Sequence, residues 1–314
     1  MELFRMTQFS KTLLETHASF IAALLLAPMV PGIINRTKAF FAGRQGPPLL
    51  QLYYDLLKLL RKGIIYSSTT GWVFRTAPVV TLTASIGVLM LLPATGAAPA
   101  LISFPGDLIL FAYLFGVARF FTVTAALDTG SSLEGMGASR EVQFAALSEP
   151  AFLISLAALA SLSHKISLNG IFSFLAVNSF SHLPVLLLVM TTILLVILTE
   201  NCRIPVDDPN THLELTMIHE VMILDNSGPD LAYILYGSAL KLWAFGTVLI
   251  SIALPFKTGN YFCDSAAFLG GIFLLAVLVG MVESAMASFR LDKVPKMLIT
   301  AAALSIIALI LTLR

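Results

Sequence analysis

An otherwise oily chain crowds its ionisable groups into one stretch: Asp207, Asp208, Glu214, Glu220, Asp225 and Asp230 follow Glu200 in quick succession, with Arg203, His212 and His219 among them. Groups of these types can ligate a metal, exchange protons, or meet a charged partner. Metal ligation is the poorest fit. His212 and His219 stand seven residues apart, about 10 Å along a helix axis, too far to share one ion without further ligands. His219-Glu220 also lacks the second histidine of a His-Glu-x-x-His pair. Asp208 followed by Pro209 has the form of a helix N-cap with proline at the first helical position, which predicts a helix of about four turns to roughly Leu224. On it His212, Thr216 and His219 share a stripe beside Glu220, with Glu214 on the far side. Such a helix is either a solvated acidic face or an electrostatic, proton-exchanging contact with another subunit.

Two bases lie inside apolar runs. Arg119 stands near the middle of Phe115-Gly116-Val-Ala-Arg119-Phe-Phe, and Lys241 about ten residues into a later run. A cation at that depth is costly unless paired or hydrated, so each must face protein or a wet cavity. Each is compatible with a helix-locking ion pair or with a station on an ion path. Glu141 and Glu149, eight residues apart, fall on one helix face about 12 Å apart along the axis. Pro150 follows at once and removes a backbone hydrogen bond there.

The elements that must hold these groups are transmembrane helices. Of 314 residues, 57% are hydrophobic and only 12% charged, and the mean hydropathy is +0.89; soluble domains carry about 25% charge. A net charge of +1, with no basic arm, excludes a nucleic-acid binder. The expected fold is an all-α integral membrane protein, a single membrane domain over 1–314. Eight spans are placed near 18–34, 77–93, 107–127, 143–162, 184–199, 231–254, 266–282 and 296–313. Amphipathic interfacial helices are expected in the first and third cytoplasmic loops, Leu49–Lys62 after the Gly46-Pro47-Pro48 turn and the acidic stretch above. The apolar 167–181 segment is too short to span and is expected to lie along the surface. Arg36, Lys38, Arg44, Lys58, Arg61, Lys62, Arg75, Arg140, Arg203, Arg290, Lys293 and Lys296 occupy one set of loops, against Arg5, Lys11, Lys165, Lys257 and Arg314 in the other. The first set is therefore cytoplasmic and both termini lie on the outer face. Cys202 and Cys263 then fall on opposite faces and are free thiols.

Three loops carry a family resemblance. Arg44-x-Gly46-Pro47-x-x-Leu50-Gln51-x-x-x-Asp55-x-x-Lys58 is one. Leu127-Asp128-x-Gly130-Ser131 with Gly135-x-Gly137-Ala-Ser-Arg140-Glu141 and Glu149-Pro150 is the second. Arg203-x-Pro205-x-Asp207 with Glu214 and Leu224-Asp225-Asn-Ser227-Gly228 is the third, and Glu283-Ser-x-Met-Ala-x-x-Arg290 also fits. Together they resemble the membrane subunit of group 4 membrane-bound NiFe hydrogenases and formate hydrogenlyase, which is homologous to the quinone-site membrane subunit of respiratory complex I. The resemblance implies a core subunit of a prokaryotic cytoplasmic (inner) membrane complex. Its partners would be a NiFe-hydrogenase-like large subunit, a small iron–sulfur subunit and antiporter-like membrane subunits. Iron–sulfur clusters and the NiFe centre would sit in those partners, with no cofactor in this chain. Ion translocation (H⁺ or Na⁺) would fall to Glu141, Glu149, Glu200, Arg119, Lys241 and Glu283. Docking would fall to Arg44, Asp55, Lys58, Arg203, Asp207, Asp208, Glu214, Glu220 and Asp225. A quinone-binding complex I subunit and a stand-alone secondary transporter are the alternatives, although no inverted repeat with matching broken helices supports the latter.

Overall fold

A computed structural model describes residues 2–93, 98–207, 218–255, 258–286 and 293–313. In chain order the helices are α1 (Glu2–Leu26), α2 (Met29–Phe41), α3 (Gln51–Leu60), α4 (Trp72–Leu91), α5 (Asp107–Asp128), α6 (Ser132–Ser163), α7 (Leu168–Asn178), α8 (Leu183–Glu200), α9 (His219–Met222), α10 (Gly228–Ala253), α11 (Tyr261–Ala285) and α12 (Val294–Thr312). Among the described residues seven of them are long and apolar enough to cross a membrane, and the pair α1–α2, bent by 43°, brings the number to eight when it is taken as one broken span. The chain is an all-helical, multi-pass membrane protein among its described residues.

Prolines set the boundaries. Pro184, Pro229 and Pro295 open α8, α10 and α12 at the first or second helical position, where the missing N–H costs nothing. Pro28 lies between α1 and α2 and cannot donate back to Leu24, so the first span breaks there. Two tyrosines repair the break: Tyr236 of α10 donates its hydroxyl to the Leu24 carbonyl at 3.0 Å, and Tyr53 of α3 donates to that of Leu25. The apolar window near 18–34 therefore straddles a bend rather than a straight rod.

The other spans match their apolar windows to within about five residues at either end, with one larger difference. α6 begins at Ser132, not near 143, and its 32 residues extend about 48 Å, well beyond a hydrocarbon core of roughly 30 Å. Its first turns, carrying Glu134 and Gly137, project into the loop region, and Pro150 is carried without ending the helix. In the first loop α3 buries no residue and exposes Tyr54, Leu57 and Leu60 beside Lys58, as an interfacial amphipathic helix does. In the acidic loop the described part is the single turn α9; Asp208 and Glu214, with the start of the helix expected there, lie outside the described residues. α7 buries Leu168, Ile171, Phe172 and Leu175 against the main core and leaves Val177 exposed.

α5 packs on α4, α12 across α6 and α8, α11 on α2, and α10 against α4, α3 and α8. α11 approaches α2 closely because Gly280 has no side chain: a Cβ there would come within 2.7 Å of Thr37 Cβ, the small-residue contact typical of membrane helices. Midway through the bundle Phe111 and Phe115 of α5, Phe152 of α6 and Phe245 of α10 form an aromatic layer. Phe115 stacks on Phe245 with centroids 4.6 Å apart, and Phe152 meets Phe245 edge-on at 5.3 Å.

Candidate functional site: a buried arginine among three carboxylates

Directly beside the aromatic layer, four helices bring charge together. Arg119 comes from α5, Glu141 and Glu149 from one face of α6, Glu200 from the last residue of α8, and Lys241 from α10. The three nitrogens of one guanidinium serve three carboxylates. Nε lies 3.3 Å from Glu141, Nη1 holds Glu149, and Nη2 holds Glu200. Lys241 Nζ approaches Glu200 at 2.9 Å, and the fully buried Ser148 donates its hydroxyl to Glu200 at 2.8 Å. Two cations thus face three carboxylates in a setting where an unpaired charge is expensive. The carboxylates are not equivalent. Glu200 has three donors and a side chain 5% exposed, whereas Glu149 has one donor and is 47% exposed.

The cluster lies where two cavities meet. One, about 110 Å³, is lined by Thr81, Ser85, Cys202, His219, Ser238 and Glu141. The other, about 310 Å³, is walled by Ala112, Tyr113, Phe152, Leu156 and Phe245 and carries Glu149. Arg119, Glu200 and Phe115 line both. Burial, with the Lys241 charge adding, pulls the His219 imidazole down to about 4 from its ordinary 6.5, so it is neutral at pH 7. Burial and the neighbouring carboxylates Glu141 and Asp207 hold the Cys202 thiol well above its usual range; it is a protonated thiol, not a nucleophile. Both cysteines are free. Among the described residues no three His, Cys, Asp or Glu side chains converge as a metal ion requires.

Glu283 stands apart from this cluster. Its fully buried carboxylate lies 2.9 Å from Lys38 of α2 and 3.5 Å from Arg203. Arg203 therefore turns into the bundle. Asp207, 5% exposed, does likewise and accepts the Ile218 backbone N–H at 2.9 Å. Arg44, Lys58 and Asp225 are exposed, Asp55 accepts from Gln51 at 3.0 Å, and Glu220 is half-buried.

The two long loops are pinned into one surface. Ser227 exchanges hydrogen bonds with both the N–H and the carbonyl of Ile65 at 3.2 Å, and Tyr66 donates to Asp230 at 2.8 Å. Burial and that bond hold the Tyr66 phenol above its ordinary value. Gly228, at φ +56°, sits where a Cβ would be 2.7 Å from the Gly63 carbonyl. Glu134, 1% exposed on the projecting end of α6, accepts the Asp225 N–H at 3.1 Å. Lys38, Ser148 and Glu134 are not among the site residues expected from the sequence. Ser148 carried a signal, since it lies seven residues after Glu141 on the same helix face; Lys38 had none beyond its charge.

A family profile described as NADH dehydrogenase matches residues 15–313. The chain belongs to the NADH dehydrogenase family. Within reach of this family member is formate hydrogenlyase subunit 4 of Escherichia coli (strain K12), 29% identical over 290 residues, covering 88% of this chain and 92% of that one. Hydrogenase-4 component C of the same organism is 30% identical over 239 residues, covering 76% and 74%. A chain in the structure of the membrane-bound sulfane sulfur reductase, an archaeal respiratory membrane complex, has the same fold. Its TM-score is 0.81 at 21% identity, over 96% of this chain and 99% of that one. These relatives are subunits of multi-subunit membrane complexes, and the resemblance read in the three loops agrees with them.

Proposed function

We propose that this chain is the membrane core subunit of a hydrogenase- or formate-hydrogenlyase-like redox complex, coupling electron transfer in a peripheral arm to ion translocation. The observation that carries the proposal is the Arg119–Glu141–Glu149–Glu200–Lys241 cluster, because ionisable groups within membrane-spanning helices are costly and mark ion pathways more often than they merely lock helices together. The similarity to formate hydrogenlyase subunit 4 and hydrogenase-4 component C supports it.

In this reading the pinned loop surface faces a prokaryotic cytoplasm, with both termini on the outer face of the inner membrane. There it receives a NiFe-hydrogenase-like large subunit and a small iron–sulfur subunit, which hold the metal centres. Antiporter-like subunits join within the membrane. Lys58 and Asp225, exposed on that surface, are the positions to test docking. Asp207 and Arg203 point inward, so their reversal would break the loop rather than the contact.

The experiment is isolation of the native assembly in mild detergent, with subunits identified by mass spectrometry, then reconstitution. Glu141→Gln and Glu149→Gln should abolish ion pumping while the subunits still co-purify. Reversal of Lys58 and Asp225 should release the peripheral arm. A chain that purifies alone and transports by itself would end the proposal.

A further inference from the structure

Resting on the ion-path reading above, we infer that Arg119 is a partner-exchanging barrier between the two cavities, and that the traveller it admits is a proton. The geometry is asymmetric in a way that a simple helix lock does not need. Glu141 borders only the smaller polar cavity, Glu149 borders only the larger lateral one, and Arg119 stands in the wall between them. Its Nε and Nη1 hold one of these carboxylates each. The third carboxylate does something different. Glu200 is fixed by Arg119, Lys241 and Ser148 together, so it is the standing counter-ion that keeps the arginine in the wall.

A metal cation would need several oxygens around it at once, and among the described residues no three His, Cys, Asp or Glu side chains converge to hold one, while a proton needs only one carboxylate oxygen at a time. The sequence of events balances. A proton from the polar cavity forms an O–H bond on Glu141, whose lost charge frees Nε of the guanidinium. Arg119 then rests on Glu149 and Glu200 alone. The proton passes through water to Glu149, breaking the Glu141 O–H bond and forming the Glu149 one, and Arg119 returns to the ionised Glu141. Glu149 releases the proton into the lateral cavity. One proton has crossed, and the wall regains its starting charge. With both carboxylates ionised, the fixed guanidinium bars an uncontrolled proton file, as a cation in a constriction does. Phe115, stacked on Phe245, lines both cavities and gives the wall an apolar part beside the guanidinium.

The test uses the whole complex in proteoliposomes, read by passive proton conductance under an imposed pH gradient and by protons pumped per electron. Arg119→Ala should raise passive conductance about tenfold or more and abolish coupled pumping. Adding Glu141→Gln should return the conductance to the wild-type level, because the entry carboxylate is gone. An assembled Arg119→Ala complex with wild-type conductance, or a leak that Glu141→Gln leaves in place, overturns the inference. If the alanine variant does not assemble, Arg119→Lys decides. An ammonium keeps the charge but serves fewer carboxylates at once, so pumping should fall about fivefold or more without a leak; unchanged pumping overturns the inference. The two layers separate cleanly. If Glu141→Gln and Glu149→Gln alone leave pumping intact, the ion path itself is wrong. If they stop pumping while Arg119→Ala stays tight, only the barrier is wrong.

Discussion

Replacing Glu200 by glutamine isolates the energetic centre of the cluster. Glu200 takes donors from Arg119, Lys241 and Ser148, and Lys241 has no other carboxylate within ion-pair distance among the described residues. Glu200→Gln therefore strands a lysine in the bundle, and removing one partner of a buried pair costs about 3–5 kcal/mol. Glu149→Gln removes a carboxylate that has a single contact, while Arg119 keeps two other partners and the amide oxygen can still accept from the guanidinium; its cost should be about 1 kcal/mol. Neutralising the stranded cation as well, in Glu200→Gln/Lys241→Met, should recover about 2 kcal/mol of the loss. The assay is reversible unfolding in a mixed-detergent titration, followed by alkylation of Cys202. Cys202 is half-buried, and the exposed Cys263 would first be replaced by serine. Equal losses for the two glutamine variants, or no recovery in the double variant, would refute Glu200 as the counter-ion that holds the site.

Three further outcomes follow from other contacts. His219, with its folded pKa near 4 against an ordinary 6.5, is protonated more readily in the unfolded chain. Stability should therefore fall as pH drops from about 6.5 to 4, and His219→Gln should flatten that part of a stability-versus-pH titration. Tyr236→Phe leaves the Leu24 carbonyl at the first-span break without its donor, and detergent unfolding should register a loss of about 1–3 kcal/mol. Gly280→Ala drives a Cβ into Thr37 and the Ile34 carbonyl, and should cost about 1–3 kcal/mol in the same titration by prising α11 from α2.

The spans were legible because lipid imposes a crude rule. A chain that cannot satisfy its backbone in oil must be helical, and about twenty apolar residues are needed to cross. Hence the window near 107–127 meets α5 to within one residue, and that near 231–254 meets α10 to within three. The break at Pro28 hides inside an apolar run, since hydropathy is blind to a missing N–H. The early start of α6 hides for the opposite reason: its first turns are polar, and nothing in their hydropathy marks them as part of a span.

The site divides in the same way. Arg119 and Lys241 announce themselves in the sequence, because a cation in an oily run demands a partner, and the eight-residue spacing of Glu141 and Glu149 puts them on one helix face. Which partner answers is another matter. Arg119 meets Glu200 across 81 positions of chain, Lys38 and Arg203 close on Glu283 from separate elements, and Asp207 spends its charge on a backbone N–H inside its own loop. Spacing along one helix orders residues only on that helix. Contacts between helices depend on how the rods pack, and on whether a loop acid bonds its own backbone or faces water, and those are decided only when the bundle closes.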